Sequence, residues 1–179
     1  MKKERRVILY IAMSLDGYIA RKNGDIDWLC GDGSEPDSDF GYNEFYEGID
    51  TVILGRTTYD QVVNELSVGV WPYEGIDSFV FTSKDIKDNK DVKFIKGDIC
   101  SFIKDLKQKE GQDIWIVGGA ELIKHLTESN LIDEYIITVI PTILGEGIPL
   151  FKEGSKELKL KLKESKVYNG AVMIHYIRD

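Results

Sequence analysis

The residues Ile114-Trp115-Ile116-Val117-Gly118-Gly119-Ala120-Glu121-Leu122 join a run of apolar side chains to two glycines and then, at once, to helix formers. Four consecutive apolar residues without alternation read as a strand covered on both faces. Glycines at its end let the main chain come close to a ligand. A helix that begins directly behind them offers unpaired N–H groups to a phosphate. A tight strand–helix turn without any ligand accounts for the same residues. The spacing is not G-x-G-x-x-G, so nothing here points to a Rossmann dinucleotide fold.

Two other stretches end in the same way. Ile53-Leu54-Gly55-Arg56-Thr57-Thr58 sets an arginine where a strand meets a helix, and Phe81-Thr82-Ser83-Lys84 sets a hydroxyl and an ammonium after the next strand. In open α/β sheets ligands bind at the carboxyl ends of strands. Arginine and serine there suit a 2′-phosphate, whereas NAD sites usually turn an acid to the ribose.

Working outward, apolar β-rich runs predict strands over 6–13, 51–54, 78–82, 92–95, 113–117 and 134–140. Helices are expected over 57–65, over 120–128, and from the N-cap Asp98 to about Glu110, with Gly111 as the stop. Ile99, Phe102, Ile103 and Leu106 give that last helix its apolar stripe. A short helix within 37–47 would turn Phe40, Phe45 and Tyr46 inward. In the tail, Leu158-Lys159-Leu160-Lys161-Leu162-Lys163 alternates as a strand with one wet face does, and Asn169-Gly170 signals a hairpin to a partner strand over 171–177. The sum is an α/β domain: a mostly parallel central sheet flanked by helices, with an antiparallel C-terminal hairpin.

The bulk properties agree. The chain has 179 residues, 42% hydrophobic and 30% charged, as ordinary globular domains have. Its formal charge of −8 argues against nucleic acid as a partner. Cys30 and Cys100 form no CxxC pair and read as reduced thiols. The basic start is followed by a short apolar run that passes into Ser14-Leu15-Asp16-Gly17, so no secretory signal is expected, and no stretch approaches the ~20 apolar residues of a membrane span. A cytoplasmic location is expected. His125 and His175 have no cysteine or acid at ligand spacing, so no metal is expected.

Five motifs in order give the chain a resemblance that spans about 7–177. They are Ala12-Met13-Ser14-Leu15-Asp16-Gly17-Tyr18-Ile19-Ala20, then Asp50-Thr51-Val52-Ile53-Leu54-Gly55-Arg56-Thr57-Thr58-Tyr59, then Ile116-Val117-Gly118-Gly119-Ala120-Glu121-Leu122, then Leu131-Ile132-Asp133-Glu134-Tyr135-Ile136-Ile137-Thr138-Val139-Ile140-Pro141, and last Leu144-Gly145-Glu146-Gly147-Ile148-Pro149-Leu150-Phe151. With these the chain resembles the dihydrofolate-reductase-like superfamily, in the branch of the reductase domain of the riboflavin-biosynthesis deaminase-reductase. The resemblance implies an NADPH-dependent reductase, commonly a homodimer, acting on a small heterocycle. Ala12 and Ile19 would then touch the nicotinamide end. Gly55, Arg56, Thr57 and Thr58 would hold the adenosine phosphates, with Ser83 and Lys84 at the 2′-phosphate. Gly118, Gly119, Ala120 and Glu121 would cradle the pyrophosphate.

The chain also departs from that pattern. Dihydrofolate reductases bind the pterin through a helix carboxylate. Counting back without gaps from Gly55-Arg56 puts Asp39 there, while matching Phe45 to the family's helix aromatic leaves no carboxylate. Asp39 also reads as an exposed or capping acid. Trp28 corresponds to the family's active-site tryptophan, or is core. The riboflavin enzymes carry a basic, histidine-containing segment for a phosphoribosyl substrate, where this chain reads Phe40-Gly41-Tyr42-Asn43-Glu44-Phe45-Tyr46-Glu47. The expected reaction is hydride transfer to a pteridine- or pyrimidine-type ring or its ribosylamino adduct. The rivals are a binding protein of the same fold without turnover, and a true dihydrofolate reductase. Strand 134–140, if exposed, would be a surface for a dimer.

Overall fold

A computed structural model describes residues 4–179 of the chain. In chain order the strands are β1 (Val7–Ser14), β2 (Tyr18–Ala20), β3 (Ile49–Gly55), β4 (Asp77–Phe81), β5 (Lys93–Ile95), β6 (Asp113–Gly118), β7 (Glu134–Ile140), β8 (Ile148–Pro149), β9 (Leu160–Tyr168) and β10 (Ala171–Arg178). The helices are α1 (Tyr42–Tyr46), α2 (Arg56–Gln61), α3 (Ile99–Lys107) and α4 (Ala120–Glu128). Eight strands form one sheet in the order β5-β4-β3-β6-β1-β7-β10-β9, and β2 pairs with β8 in a separate ribbon. The sheet is parallel from β5 to β7, and β10 and β9 then run antiparallel.

Alternation along β1 sends Leu9 to one face and Ile8 and Tyr10 to the other. The first face is closed by α3 and α4, whose Ile103, Ile123 and Leu126 are buried against Leu9, Ile53 and Ile116. Asp98 caps α3 as expected, accepting the Ser101 N–H at 2.8 Å. The second face carries an aromatic nest under α1. Tyr10 stacks on Phe45 at 4.1 Å between ring centres, and the Trp115 indole donates to the Tyr10 carbonyl at 3.0 Å.

Register puts the motif-bearing strand ends side by side. Leu54 faces Gly118 across β3 and β6, and Gly55 faces Phe81 across β3 and β4. Since these strands are parallel, their carboxyl ends share one edge of the sheet with the end of β1.

Several local expectations are corrected. Within 37–47 only Tyr42–Tyr46 is helical, because Phe40 and Gly41 both take positive φ, at 55° and 79°, which no helix continues through. The helix over 57–65 starts one residue earlier and passes after Gln61 into a wider π-turn. Helix α3 stops at Lys107, short of Glu110. Strand β9 is the sheet margin, so it is wet on both faces for much of its length, with Leu162 54% exposed. Strand β7, by contrast, lies inside the sheet between β1 and β10 and is mostly buried, so it presents no dimer surface. None of the helices among the described residues is long and apolar enough to cross a membrane.

Candidate functional site

At the shared edge three glycines and one threonine converge. A Cβ added at Gly119 would meet the Thr58 hydroxyl oxygen at 3.3 Å, and one at Gly55 would meet the Gly118 carbonyl and the Gly119 nitrogen at 3.7 Å. Gly118 takes φ 141°, a conformation that side chains rarely adopt. The Gly118–Gly119 peptide bond is cis. Gly119 is the N-cap of α4 and has no side chain to satisfy the first-turn N–H groups, which therefore face outward from the junction.

Arg56 opens α2. Its Nε is shared by both oxygens of Asp60 at 2.7 and 2.8 Å, while its Nη1 is buried with no partner. The guanidinium lies 5.9 Å from the rings of Tyr59 and Phe94. Thr57 is exposed beside it, and Ser83 and Lys84 are exposed beyond the end of β4, where the Lys84 N–H bonds the Thr82 hydroxyl at 3.1 Å. The side chain of Glu121 is turned away, in an ion pair with Lys152 that holds its carboxyl below the usual range.

Ala12 and Ile19 approach this edge from β1 and β2. The intervening loop is fastened by Asp16, which accepts from the Ser14 hydroxyl at 2.6 Å and from the N–H groups of Leu144 and Gly145 at 3.1 and 2.7 Å. Those bonds, the Ser14 hydroxyl first, keep the Asp16 carboxyl ionised below its ordinary pKa. Leu15 and Leu150 add main-chain bonds to Thr142 and Gly17. The Ser14–Gly17 and Leu144–Leu150 motifs thus form one clasp over the end of β1.

Trp28 is buried in a cluster with Ile140 and Ala171, against which Ala12, Phe40 and Leu144 pack. Its indole Nε1 has no hydrogen-bond partner. Asp39 is exposed and accepts the N–H groups of Gly41 and Asn43 at 2.9 and 3.0 Å. It is the capping acid of the α1 turn. The bonds from Asn43 and Gly41 lower its pKa, the opposite of what a proton-relaying carboxyl requires. Tyr10 lies close enough to feel it: burial first, and then the Asp39 charge, push the Tyr10 hydroxyl up.

With this geometry in view, the comparisons decide the family. The family model of the RibD C-terminal domain matches residues 5–174. The chain belongs to the RibD C-terminal domain family. It is 49% identical to the uncharacterized protein YwjB of Bacillus subtilis (strain 168), over 98% of this chain and 99% of that one. A protein from Shewanella sp. PV-4, provisionally named for riboflavin biosynthesis, is 34% identical and superposes over 97% of this chain and 99% of its own with a TM-score of 0.83. Dihydrofolate reductase from Enterococcus faecalis, solved with NADP(H), is 19% identical over 100% of this chain and 99% of that one, with a TM-score of 0.72, and shares the fold.

As a RibD-type domain the chain has features that its motifs did not announce. Beneath α1, on the Tyr10 face, lies a cavity of about 250 Å³. Its floor is Ile8, Ile136 and Met173, and its far end is an ionic network around the buried Asp113, Glu134 and His175 at the amino ends of the parallel strands. There Glu134 receives His175 Nε2 at 2.6 Å and Arg6 at 2.6 Å, with Lys163 at 3.5 Å, and Arg6 also pairs with Asp113. The His175 bond is the largest of the effects that lower Glu134, to about 2. His175 is therefore a structural histidine, and His125 is an exposed helix residue. The period-two pattern of β10 carried the signal for His175, but its partner 41 residues earlier could not be read from it. Among the described residues there is no group of side chains able to hold a metal ion.

Proposed function

We propose that this RibD-type domain is an NADPH-dependent reductase of a pteridine- or pyrimidine-type heterocycle or its ribosylamino adduct. The observation that carries the reading is the meeting of Gly55, Arg56 and Thr58 with Gly118 and Gly119 at neighbouring strand ends, with a buried guanidinium nitrogen left unpartnered. A buried donor without an acceptor is costly, and a phosphate oxygen would satisfy it. The glycines leave the space that the approach of a phosphate needs, and the uncapped start of α4 supplies N–H donors. The residues therefore fit a phosphorylated dinucleotide.

In this reading Gly118, Gly119, Ala120 and Glu121 hold the pyrophosphate through the main chain. Arg56, Thr57 and Thr58 hold the adenosine phosphates, and Ser83 and Lys84 the 2′-phosphate. When bound, NADPH supplies a hydride from its nicotinamide ring. Ala12 and Ile19 would line the nicotinamide end, and the Asp16 clasp would keep water away from the end of β1. Trp28 Nε1 offers a donor to a carbonyl or ring nitrogen of the acceptor. Asp39, held ionised with both oxygens capping the α1 turn, delivers no proton, so the proton that follows the hydride comes from solvent.

Aligned this way, the domain oxidises NADPH only when an acceptor is present. The test follows NADPH absorbance with a panel of pterins, dihydrofolate and ribosylaminopyrimidines. Acceptor-dependent oxidation by the wild type, abolished in Gly119→Val, is the expected result. Tight NADPH binding with no oxidation across the panel would favour the second reading, a binding protein of the same fold. That the Asp39 carboxyl is lowered by its capping bonds, and so is no proton donor, is what motivates that alternative.

A further inference from the structure

The walls of the acceptor end carry one sign of charge. From Asn23 to Gly55 the sequence holds nine carboxylates and no lysine, arginine or histidine. Among the described residues only Asp27, Glu44 and Asp50 of these nine have a cationic partner, in Arg21, Lys166 and Arg5. Asp32, Glu35 and Asp39 accept from neutral N–H donors.

This acidic loop is fixed against the turn that packs on Trp28. Asp32 and Glu35 donate their N–H groups to Asn169, at 2.9 Å to its carbonyl and 3.0 Å to its side-chain oxygen, and Glu35 accepts the Asn169 N–H at 3.0 Å. Asn169 opens the turn into Ala171, which packs on Trp28. A Cβ at Gly31 or Gly170 would come within 2.5 Å of Asn169 or Asp32, so loop and hairpin sit hard against each other. An independent sign that a ligand belongs here is Trp28, 5% exposed, whose Nε1 is buried without a partner beside Ala12 and Phe40. The cations along the cavity beneath α1 are occupied: Lys166 by Glu44 and Glu164, and at its far end Lys163 by Glu134 and Arg6 by Asp113 and Glu134.

Resting on the reductase reading above, we infer that the acceptor is an uncharged heterocycle and carries no phosphate or carboxylate tail. A phosphate group carried in on the acceptor would face several carboxylates and, among the described residues of the cavity, cations already paired with acids. Like charges set against each other at a binding surface discriminate between ligands more than they tune affinity. The chain therefore selects against the anionic member of any pair of acceptors that share a ring.

The experiment is calorimetric titration of the NADPH-loaded protein with two matched pairs: 5-amino-6-ribosylaminouracil against its 5′-phosphate, and dihydrobiopterin against dihydrofolate. The neutral member of at least one pair is expected to bind about tenfold tighter at low salt, with the gap narrowing as ionic strength rises through ~0.1 M. Asp37→Lys, at an exposed loop position, is expected to improve the anionic member severalfold and to leave the neutral one unchanged. Equal or tighter binding of the anionic members, or no binding of any neutral member, overturns the inference and leaves the reductase reading standing. Failure of NADPH itself to bind overturns that reading instead.

Discussion

Arg56 and Asp60 form an ion pair whose side chains are 34% and 41% exposed, and such pairs contribute only about 0–1 kcal/mol to folding. Yet the same guanidinium buries Nη1 without a partner. The two facts predict a split phenotype. Arg56→Ala should leave the melting temperature almost unchanged while weakening NADPH about 10- to 100-fold, the size of a charge-assisted hydrogen bond of ~1.5–3 kcal/mol. A thermal scan and a titration on the same sample check this. Asp39 separates function from structure in the opposite sense. Because its oxygens cap a turn, Asp39→Ala should lower the melting temperature, Asp39→Asn should largely restore it, and the asparagine variant should keep its turnover. A large loss of turnover in Asp39→Asn at unchanged stability would return the residue to catalysis. Trp28→Phe removes only the orphaned indole donor from an apolar cluster, so it should weaken the acceptor more than it weakens the fold.

Where β1, β7, β9 and β10 meet, Arg6, Glu134, Glu164 and His175 tie the parallel part of the sheet to its antiparallel margin. The folded pKa of Glu134 is lowered from 4.5 to about 2. The folded protein thus binds fewer protons here than the unfolded chain, and stability rises with pH. This contribution is complete above pH 4.5 and is lost as pH falls toward 2. Urea unfolding across that window should show the wild type losing stability steeply, and Glu134→Gln, weaker at neutral pH, losing it less steeply. The sequence was legible for elements whose covering is local: the apolar runs of β1, β3, β6 and β7, and the Asp98 cap of α3. It was less legible for α1, because two successive positive-φ residues, Phe40 and Gly41, depend on contacts with Tyr10 and Tyr168 from distant strands. Alternation in 158–163 was real, but whether a strand has one wet face or two depends on its place in the sheet, and that place is a tertiary fact.

For the whole molecule, the α/β fold and its family are legible in the motifs alone, because each sits where a parallel strand ends and the sheet order brings those ends together. The sequence could not show which edge residues were already satisfied. Glu121 proved to be engaged by Lys152, and Asp39 by its own turn, whereas Arg56 kept a free nitrogen. Only long-range packing makes that distinction. The central claim is that this edge holds a dinucleotide with a 2′-phosphate, and calorimetric titration of the purified protein with NADPH and with NADH tests it most directly. Tight NADPH binding, with NADH and Arg56→Ala both at least ~10-fold weaker, is the predicted result. Equal affinity for the two nucleotides, or none for either, would contradict it.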